Sequence, residues 1–315
     1  MPIAVTSPFF HLMPHLKDEI LTQYPECRFK ETFPPIGGDE LIDFCKNCDG
    51  AVIGLDNFDD YVLSKLPDLK VIGLCSAGAD HVDPFAMKKY SKRMGWVPGI
   101  NKVAVAEMTI SHMINILRNF HKYSRGVLDG SWPSRREGTL LQGKTVGIHG
   151  CGNIGKEVAK RLKPFEVNIL ASDKIDYLDF YSEYGIARVS PEELWERSDI
   201  LTVHVSRNKS TIGMYTPDIL DRLKPGVFIV NTARGKLFDE VSLYDRLQDG
   251  RIKAAAFDVF AIEPAIDNPL FQLENFYPTP HTGAGAQESW EAMARSGIRG
   301  LTENWIPEPG KYPYD

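Results

Sequence analysis

From Lys144 onward the chain alternates short β-branched apolar runs with amphipathic segments that begin and end on helix-capping residues. That alternation predicts a parallel α/β sheet, because strands running in one direction need crossover helices between them. Strands are expected at 145–149, 167–172, 200–205, 227–231 and 254–259. Between them, Ser190-Pro191-Glu192-Glu193 forms a capping box with proline at the first helical position. Thr216-Pro217 opens a second helix that stops before Lys224-Pro225-Gly226, and Asp239 opens a third that ends at Gly250.

The first hundred residues repeat the style less regularly, with buried strands expected at 3–6, 50–53 and 70–75. A long helix is expected from about Ala104 to Val127, with Met108, Ile110, Met113, Ile114 and Leu117 as its apolar positions. A second is expected over 287–305. Both flank the regular block, which places domain crossings near residues 100 and 286. Residues 1–99 and 287–315 would then form one discontinuous domain around a central domain of residues 100–286.

Composition supports this picture and removes several classes of function. A chain of 315 residues suits two domains. With 36 basic against 42 acidic residues the net charge is −6, and the basic residues are scattered. No nucleic acid or membrane-surface partner is expected. No apolar run approaches the roughly 20 residues of a membrane-spanning helix, and the opening Met1-Pro2-Ile3-Ala4-Val5 lacks a charged signal-peptide start. Five cysteines suggest a reducing, cytoplasmic setting rather than a disulfide framework. Cys45 and Cys48 are spaced like a redox pair, but they close a helical pattern instead of opening one, and no second Cys/His pair completes a metal site.

Candidate chemistry begins at Gly150-Cys151-Gly152-Asn153-Ile154-Gly155, between the strand at 145–149 and the next helix. In such a loop Gly150 permits a tight turn, Gly152 lets a pyrophosphate approach the backbone, and Gly155 lets helix and strand pack closely. The helix N-terminus offers free N–H groups to the phosphates. Asp173 lies 18 residues beyond Gly155 at the end of the next strand, where it can accept ribose hydroxyls and repel a 2′-phosphate. The pattern favours NAD over NADP, although enzymes using S-adenosylmethionine also combine a glycine loop with a downstream acid.

Three further motifs follow strand ends of the same block: Asn231-Thr232-Ala233-Arg234-Gly235, Asp258-Val259-Phe260 leading to Glu263-Pro264, and Thr279-Pro280-His281-Thr282-Gly283-Ala284. Reduction of a 2-oxo acid needs these residue types. Arg234 can bind a carboxylate and polarise a carbonyl. His281 can deliver a proton near neutral pH, and Glu263 can orient the imidazole and stabilise its cation. Singly, each is also what a strand-end arginine, a solvated loop carboxylate or a structural histidine would look like.

Together with Ser76-Ala77-Gly78-Ala79-Asp80-His81-Val82-Asp83, Asn101 through Glu107, and Asp199 to His204, these motifs cover nearly the whole chain. The sequence resembles the D-isomer-specific 2-hydroxyacid dehydrogenases, in the branch of the phosphoglycerate dehydrogenases. The resemblance implies an α/β fold with a Rossmann-type dinucleotide-binding domain plus a discontinuous flavodoxin-like substrate domain, NAD as cofactor, and a small 2-oxo or 2-hydroxy acid as substrate. It implies that Arg234 anchors the substrate while Glu263 and His281 form a proton relay, with Ala77, Gly78 and Asn101 completing the substrate site. Asn153 and Ile154 would meet the pyrophosphate, Asp173 the adenosine ribose, and Asp258 the nicotinamide amide. His204, Val205, Thr211, Thr232, Ala233 and Gly283 would line the rest of the cofactor cleft. The helix from Ala104 resembles the family's dimerisation segment, which implies a homodimer through the NAD-binding domain.

Two positions depart from the pattern. Where the family usually has proline after His204-Val205, this chain has Ser206-Arg207-Asn208-Lys209. Where many members carry Arg or Ser, it has Gly54-Leu55-Asp56-Asn57, and an acid there, if it faces the substrate, would repel a phosphate and could accept hydroxyls instead. Against that, the stretch from Asp129 to Gly143 and Pro280–Gln287 most resemble phosphoglycerate dehydrogenases, and Arg135-Arg136 could meet a phosphate or be surface charge. The substrate therefore stays open at this level. A non-catalytic NAD(H)-sensing scaffold and a formate dehydrogenase are the rivals; the intact Arg/Glu/His set speaks against the first, and Glu263, where formate dehydrogenases have Gln, against the second.

Overall fold

The computed structural model describes residues 1–31, 34–132 and 137–310. The chain divides into two compact units, one of Met1–Asn101 with Gly285–Asp315 and one of Lys102–Ala284.

The first unit is built on five parallel strands, β1 (Ile3–Val5), β2 (Cys27–Phe29), β3 (Gly50–Ile53), β4 (Val71–Leu74) and β5 (Arg93–Gly95), in the order β2-β1-β3-β4-β5. This is the flavodoxin-like order. One face carries a core of Leu41, Ile53, Leu63, Ile72 and Leu74, the other a core that includes Ile3, Phe10, Leu16 and Ile20. The helix Gln287–Gly300 returns to this second face. It approaches unusually closely: a Cβ on Gly73 would lie 2.0 Å from the Gly297 carbonyl oxygen, and one on Gly95 would lie 2.1 Å from the Gly300 Cα. Glycine on both surfaces is what lets helix and sheet meet backbone to backbone.

The second unit holds seven parallel strands: β6 (Thr145–His149), β7 (Asn168–Ser172), β8 (Ala187–Arg188), β9 (Ile200–Val203), β10 (Val227–Asn231), β11 (Ile252–Phe257) and β12 (Phe276–Pro278). Their order is β12-β11-β10-β9-β6-β7-β8. Alternate residues feed cores on opposite faces, Ile200, Val230, Ala254 and Ala256 on one and Leu201, Ile229, Ala255 and Phe257 on the other. Burial on both faces explains why these strands read as continuous apolar runs. The chain enters at β6 and builds one way through β7 and β8, then crosses to β9 and builds the other way. That reversal is a topological switch point, and ligands bind outside the carboxyl ends of strands at such a point.

The long helix expected from Ala104 to Val127 is two helices, Lys102–Arg118 and Phe120–Leu128. Asn119 breaks it in a left-handed conformation, φ 50°, which asparagine tolerates better than most residues. Its side-chain amide donates to the Glu137 carbonyl, and the freed Leu117 carbonyl accepts from Thr139 N. The last helix ends at Gly300 rather than 305, because Asn304 Nδ2 caps the Gly300 and Leu301 carbonyls and Trp305 pairs with Met94 beside β5. β2, β5, β8 and β12 went unforeseen; at two or three residues each they are too short for periodicity to register. The Arg135-Arg136 pair lies outside the described residues.

Candidate active site

The glycine loop follows β6 at the switch point. Gly150 has φ +92°, and a Cβ there would lie 2.7–2.9 Å from the backbone of His204 and Val205, just past β9. A Cβ on Gly155 would lie 2.2 Å from the Gly150 carbonyl oxygen, so the helix Asn153–Leu162 can start only this close with glycine at that position. Gly152 is different, since a Cβ there would meet nothing within 4 Å. Among the described residues no heavy atom lies within 4 Å of that position, and no side chain caps the helix start beside it. Open room against bare helix N–H groups, including those of Asn153 and Ile154, is what a pyrophosphate needs.

Asp173, after β7, is tied into this loop. Its Oδ2 accepts from Cys151 N at 2.6 Å and its Oδ1 from Ile175 N at 2.9 Å. His204 follows β9, with Nε2 2.9 Å from Thr202 Oγ1 and a buried Nδ1 that has no hydrogen-bond partner. Burial lowers its pKa to about 3, so it is neutral. Thr211 organises its own loop, donating to the Ser206 carbonyl at 2.7 Å and accepting from Asn208 N at 2.8 Å.

After β10, Asn231 shapes the arginine loop by accepting from Ala233 N at 3.1 Å and donating to the Arg234 carbonyl at 3.0 Å. The Arg234 guanidinium donates to the Ala233 carbonyl at 2.8 Å. Gly235 is pressed so tightly on the Phe260 carbonyl that a Cβ would lie 1.7 Å from it, which brings this loop against the one carrying Glu263. Thr232 Oγ1 is 2.8 Å from Thr109 Oγ1 on the helix Lys102–Arg118.

Asp258, after β11, is a clamp. Its Oδ1 accepts from Thr279 Oγ1 at 2.6 Å and Thr282 N at 2.8 Å, and its Oδ2 from Gly283 N at 2.7 Å. His281 N donates to the Asp258 carbonyl at 2.8 Å. These bonds hold His281 in a left-handed conformation, φ 52°. The imidazole Nδ1 then lies 2.7 Å from Glu263 Oε2, while Glu263 Oε1 accepts from Phe260 N at 2.8 Å. Partial burial would raise the Glu263 pKa, but the His281 hydrogen bond and charge, the Phe260 N–H and the Arg234 charge together hold it below the ordinary glutamate value. Glu263 is therefore a carboxylate, and a carboxylate can only accept. His281 Nδ1 must carry the hydrogen between them, which leaves Nε2 for a substrate.

In the first unit, Ala77 and Gly78 follow β4. Ser76 Oγ donates to the Gly78 carbonyl at 2.8 Å, and the Trp96 indole donates to the Ser76 and Ala77 carbonyls. Asn101 Oδ1 is buried without a hydrogen-bond partner. Asp56, after β3, does not present an open carboxylate. It is 1% exposed, its Oδ2 bonded to the Thr6 hydroxyl and its Oδ1 to Ile36 N at 2.9 Å. It closes loops of its own unit, which removes the supposed repulsion of a phosphate.

Three contributors escaped the sequence reading. Glu240 accepts from Ala261 N at 2.7 Å and Asn268 Nδ2 at 2.8 Å, fixing the loop that bears Glu263. His112 Nε2, 3.3 Å from Thr279 Oγ1, backs the Asp258 clamp. Trp96 holds the loop after β4. None belongs to a local motif; only the pairing of strands far apart in sequence brings them near.

A family model described as the NAD binding domain of the D-isomer specific 2-hydroxyacid dehydrogenases matches residues 110–283, more than half of the chain. D-3-phosphoglycerate dehydrogenase of Archaeoglobus fulgidus is 37% identical over 233 residues, 73% of this chain and 44% of that protein. The chain spans about half the length of the curated relatives it matches. Among solved structures, NAD-dependent formate dehydrogenase of Staphylococcus aureus in complex with NAD has TM-score 0.83 at 26% identity, covering 96% of this chain and 94% of that one. D-lactate dehydrogenase of Aquifex aeolicus complexed with NAD and lactic acid has the same TM-score and identity, covering 95% and 94%. Equal likeness to two enzymes named for different substrates leaves the substrate to the site residues.

Proposed function

Because the chain belongs to the D-isomer specific 2-hydroxyacid dehydrogenases, we propose that it interconverts a 2-oxo acid and a D-2-hydroxy acid with NAD(H). The observation that carries this reading is the Glu263–His281 pair, 2.7 Å apart, with the Arg234 charge acting on the same carboxylate. Bound NADH would supply the hydride for the carbonyl carbon, and bound NAD would take it back. Gly150, Gly152, Asn153, Ile154 and Gly155 would hold the pyrophosphate. Asp173 keeps lone pairs for ribose hydroxyls after its two backbone bonds, since a carboxylate offers about four acceptor sites. That anion also disfavours NADP. Asp258 Oδ2, which accepts one hydrogen bond from Gly283 N, would meet the nicotinamide amide, and His204, Val205, Thr211, Thr232, Ala233 and Gly283 would line the remainder.

Arg234 binds the substrate carboxylate and polarises the carbonyl. The amides of Ala77 and Gly78 and the unpartnered Asn101 oxygen add donors and an acceptor for the acid and its hydroxyl. In reduction His281 Nε2 gives its proton to the carbonyl oxygen, and in oxidation it takes the hydroxyl proton. Glu263 stabilises the imidazolium in both directions. A scaffold that only sensed NAD(H) would need none of the three.

A phosphorylated acid, 3-phosphoglycerate in particular, is favoured by the relatives of that name, and Asp56, closed inside its own unit, does not stand against it. The test is NADH oxidation against glyoxylate, pyruvate, hydroxypyruvate and phosphohydroxypyruvate, with NADPH in parallel. A rate confined to phosphohydroxypyruvate supports the narrower reading, and a rate with another acid only the broader one. Tight NADH binding with no rate on any acid would move the protein to the scaffold class.

We also place it as a homodimer in a reducing compartment such as the cytoplasm. All five cysteines are free. No helix among the described residues is long and apolar enough to cross a membrane. The helix Phe120–Leu128 buries none of its residues, and Phe120, Leu128 and nearby Trp132 are 66%, 83% and 76% exposed. Light scattering should give twice the chain mass for the wild type and the single mass for Leu128→Asp.

A further inference from the structure

We propose that Trp96 is a positioning residue for the substrate carboxylate, acting through the backbone of the loop after β4; this rests on the dehydrogenase reading above. In the loop Ser76-Ala77-Gly78 the first two carbonyls converge on one donor. The Trp96 indole N–H is shared between the Ser76 carbonyl at 3.0 Å and the Ala77 carbonyl at 3.1 Å, and Ser76 Oγ donates to the Gly78 carbonyl at 2.8 Å. A trans peptide points its N–H opposite to its carbonyl. Anchoring the Ser76 and Ala77 carbonyls on the indole therefore turns the N–H groups of Ala77 and Gly78 away from it. Among the described residues, neither of those two N–H groups donates to a protein acceptor. Two successive amides aimed the same way make a small anion receptor, and the indole sets its direction.

The anchor is itself rigid. Trp96 is 8% exposed within the core that includes Leu74, Val82, Met87 and Met94. It directly follows β5, which is paired to β4 on one side, while Met94 exchanges both backbone hydrogen bonds with Trp305, at 2.7 and 3.1 Å, on the other. Packing alone would be satisfied by a phenylalanine or an aliphatic residue. A buried indole brings a donor that must be matched, and here it meets the two carbonyls whose orientation decides where the amides point.

The test uses the full chain with the 2-oxo acid that the wild type reduces fastest, and oxalate as a dead-end carboxylate probe. Trp96→Phe keeps the ring and deletes the N–H. It should raise the KM for the 2-oxo acid and the inhibition constant of oxalate about tenfold, the loss expected for one orienting hydrogen bond near a charge, with kcat and the KM for NADH changed less than about twofold. Ser76→Ala, which frees the Gly78 carbonyl, should move the same two constants in the same direction and serves as the test if Trp96→Phe does not fold. A purely structural tryptophan predicts another result: a lower melting temperature with the acid KM and oxalate constant unchanged, or kcat and both KM values worsening together. Either of those overturns the inference while the wild-type activity stands. A wild type that reduces no 2-oxo acid overturns the dehydrogenase reading, and this inference with it.

Discussion

Arg234, Glu263 and His281 sit on three loops of one sheet, and none of the three belongs to the cores beneath. Arg234→Ala should lower kcat/KM for the 2-oxo acid by at least about a thousandfold, because both the charge-assisted anchor and the polarisation of the carbonyl are lost. NADH affinity, followed by fluorescence titration, should stay within a few fold; an equal loss of NADH binding would make Arg234 a structural residue. Glu263→Gln keeps the shape and deletes the charge. The His281 imidazolium then loses the anionic neighbour that stabilises it in the proton relay. The pH profile of reduction should shift downward, and an unchanged profile would take Glu263 out of the relay. Residue types and loop positions were legible for all three. The left-handed turn of His281 and the Asp258 clamp that enforces it were not, since they depend on Thr282 N, Gly283 N and Thr279 Oγ1 converging on one carboxylate.

At the scale of elements, strands buried on both faces announce themselves, and β6 and β10 were expected at their observed limits. What escaped was contact between elements. Gly73 in β4 and Gly297 in the last helix look unremarkable alone, yet a Cβ on the first would lie 2.0 Å from the carbonyl oxygen of the second. Gly73→Ala should cost about 1–3 kcal/mol as the helix is pushed off the sheet, measured by urea unfolding. A loss no larger than that of Gly226→Ala, where a Cβ meets nothing within 4 Å but φ is +80°, would mean that the close approach is unimportant. The break at Asn119 has a similar origin. Apolar spacing continues through it, and the competing partners, Glu137 and Thr139, come from a later segment.

For the whole molecule, acid should be the sensitive direction. His149, at the end of β6, is buried with Nδ1 2.6 Å from the Tyr215 hydroxyl, and burial lowers its pKa to about 4. The unfolded chain takes up a proton near pH 6.5 that the folded chain refuses until about 4, so stability falls as pH drops through that window and levels below it. This one group should remove roughly 3 kcal/mol across the window. His204, lowered to about 3, acts in the same direction. Denaturant unfolding between pH 7 and 4 checks this, and His149→Asn should flatten the slope; an undiminished slope would assign the acid sensitivity elsewhere.

Local pattern alone determined the parallel α/β class, five of the seven strands after Lys144, the glycine loop and the residue types of the reactive trio. These are properties of contiguous residues, set by side-chain period, backbone freedom and intrinsic chemistry. The tertiary structure decided which way those residues face. It buried Asp56 against Thr6 and Ile36, a direction its sequence position had left open, and it made Asp258 the clamp of the His281 loop. It also recruited Trp96, Glu240 and His112 to hold loops far from them in sequence. Hydrogen bonding of a buried polar group is a whole-fold property, because its partners are set by which strands become neighbours.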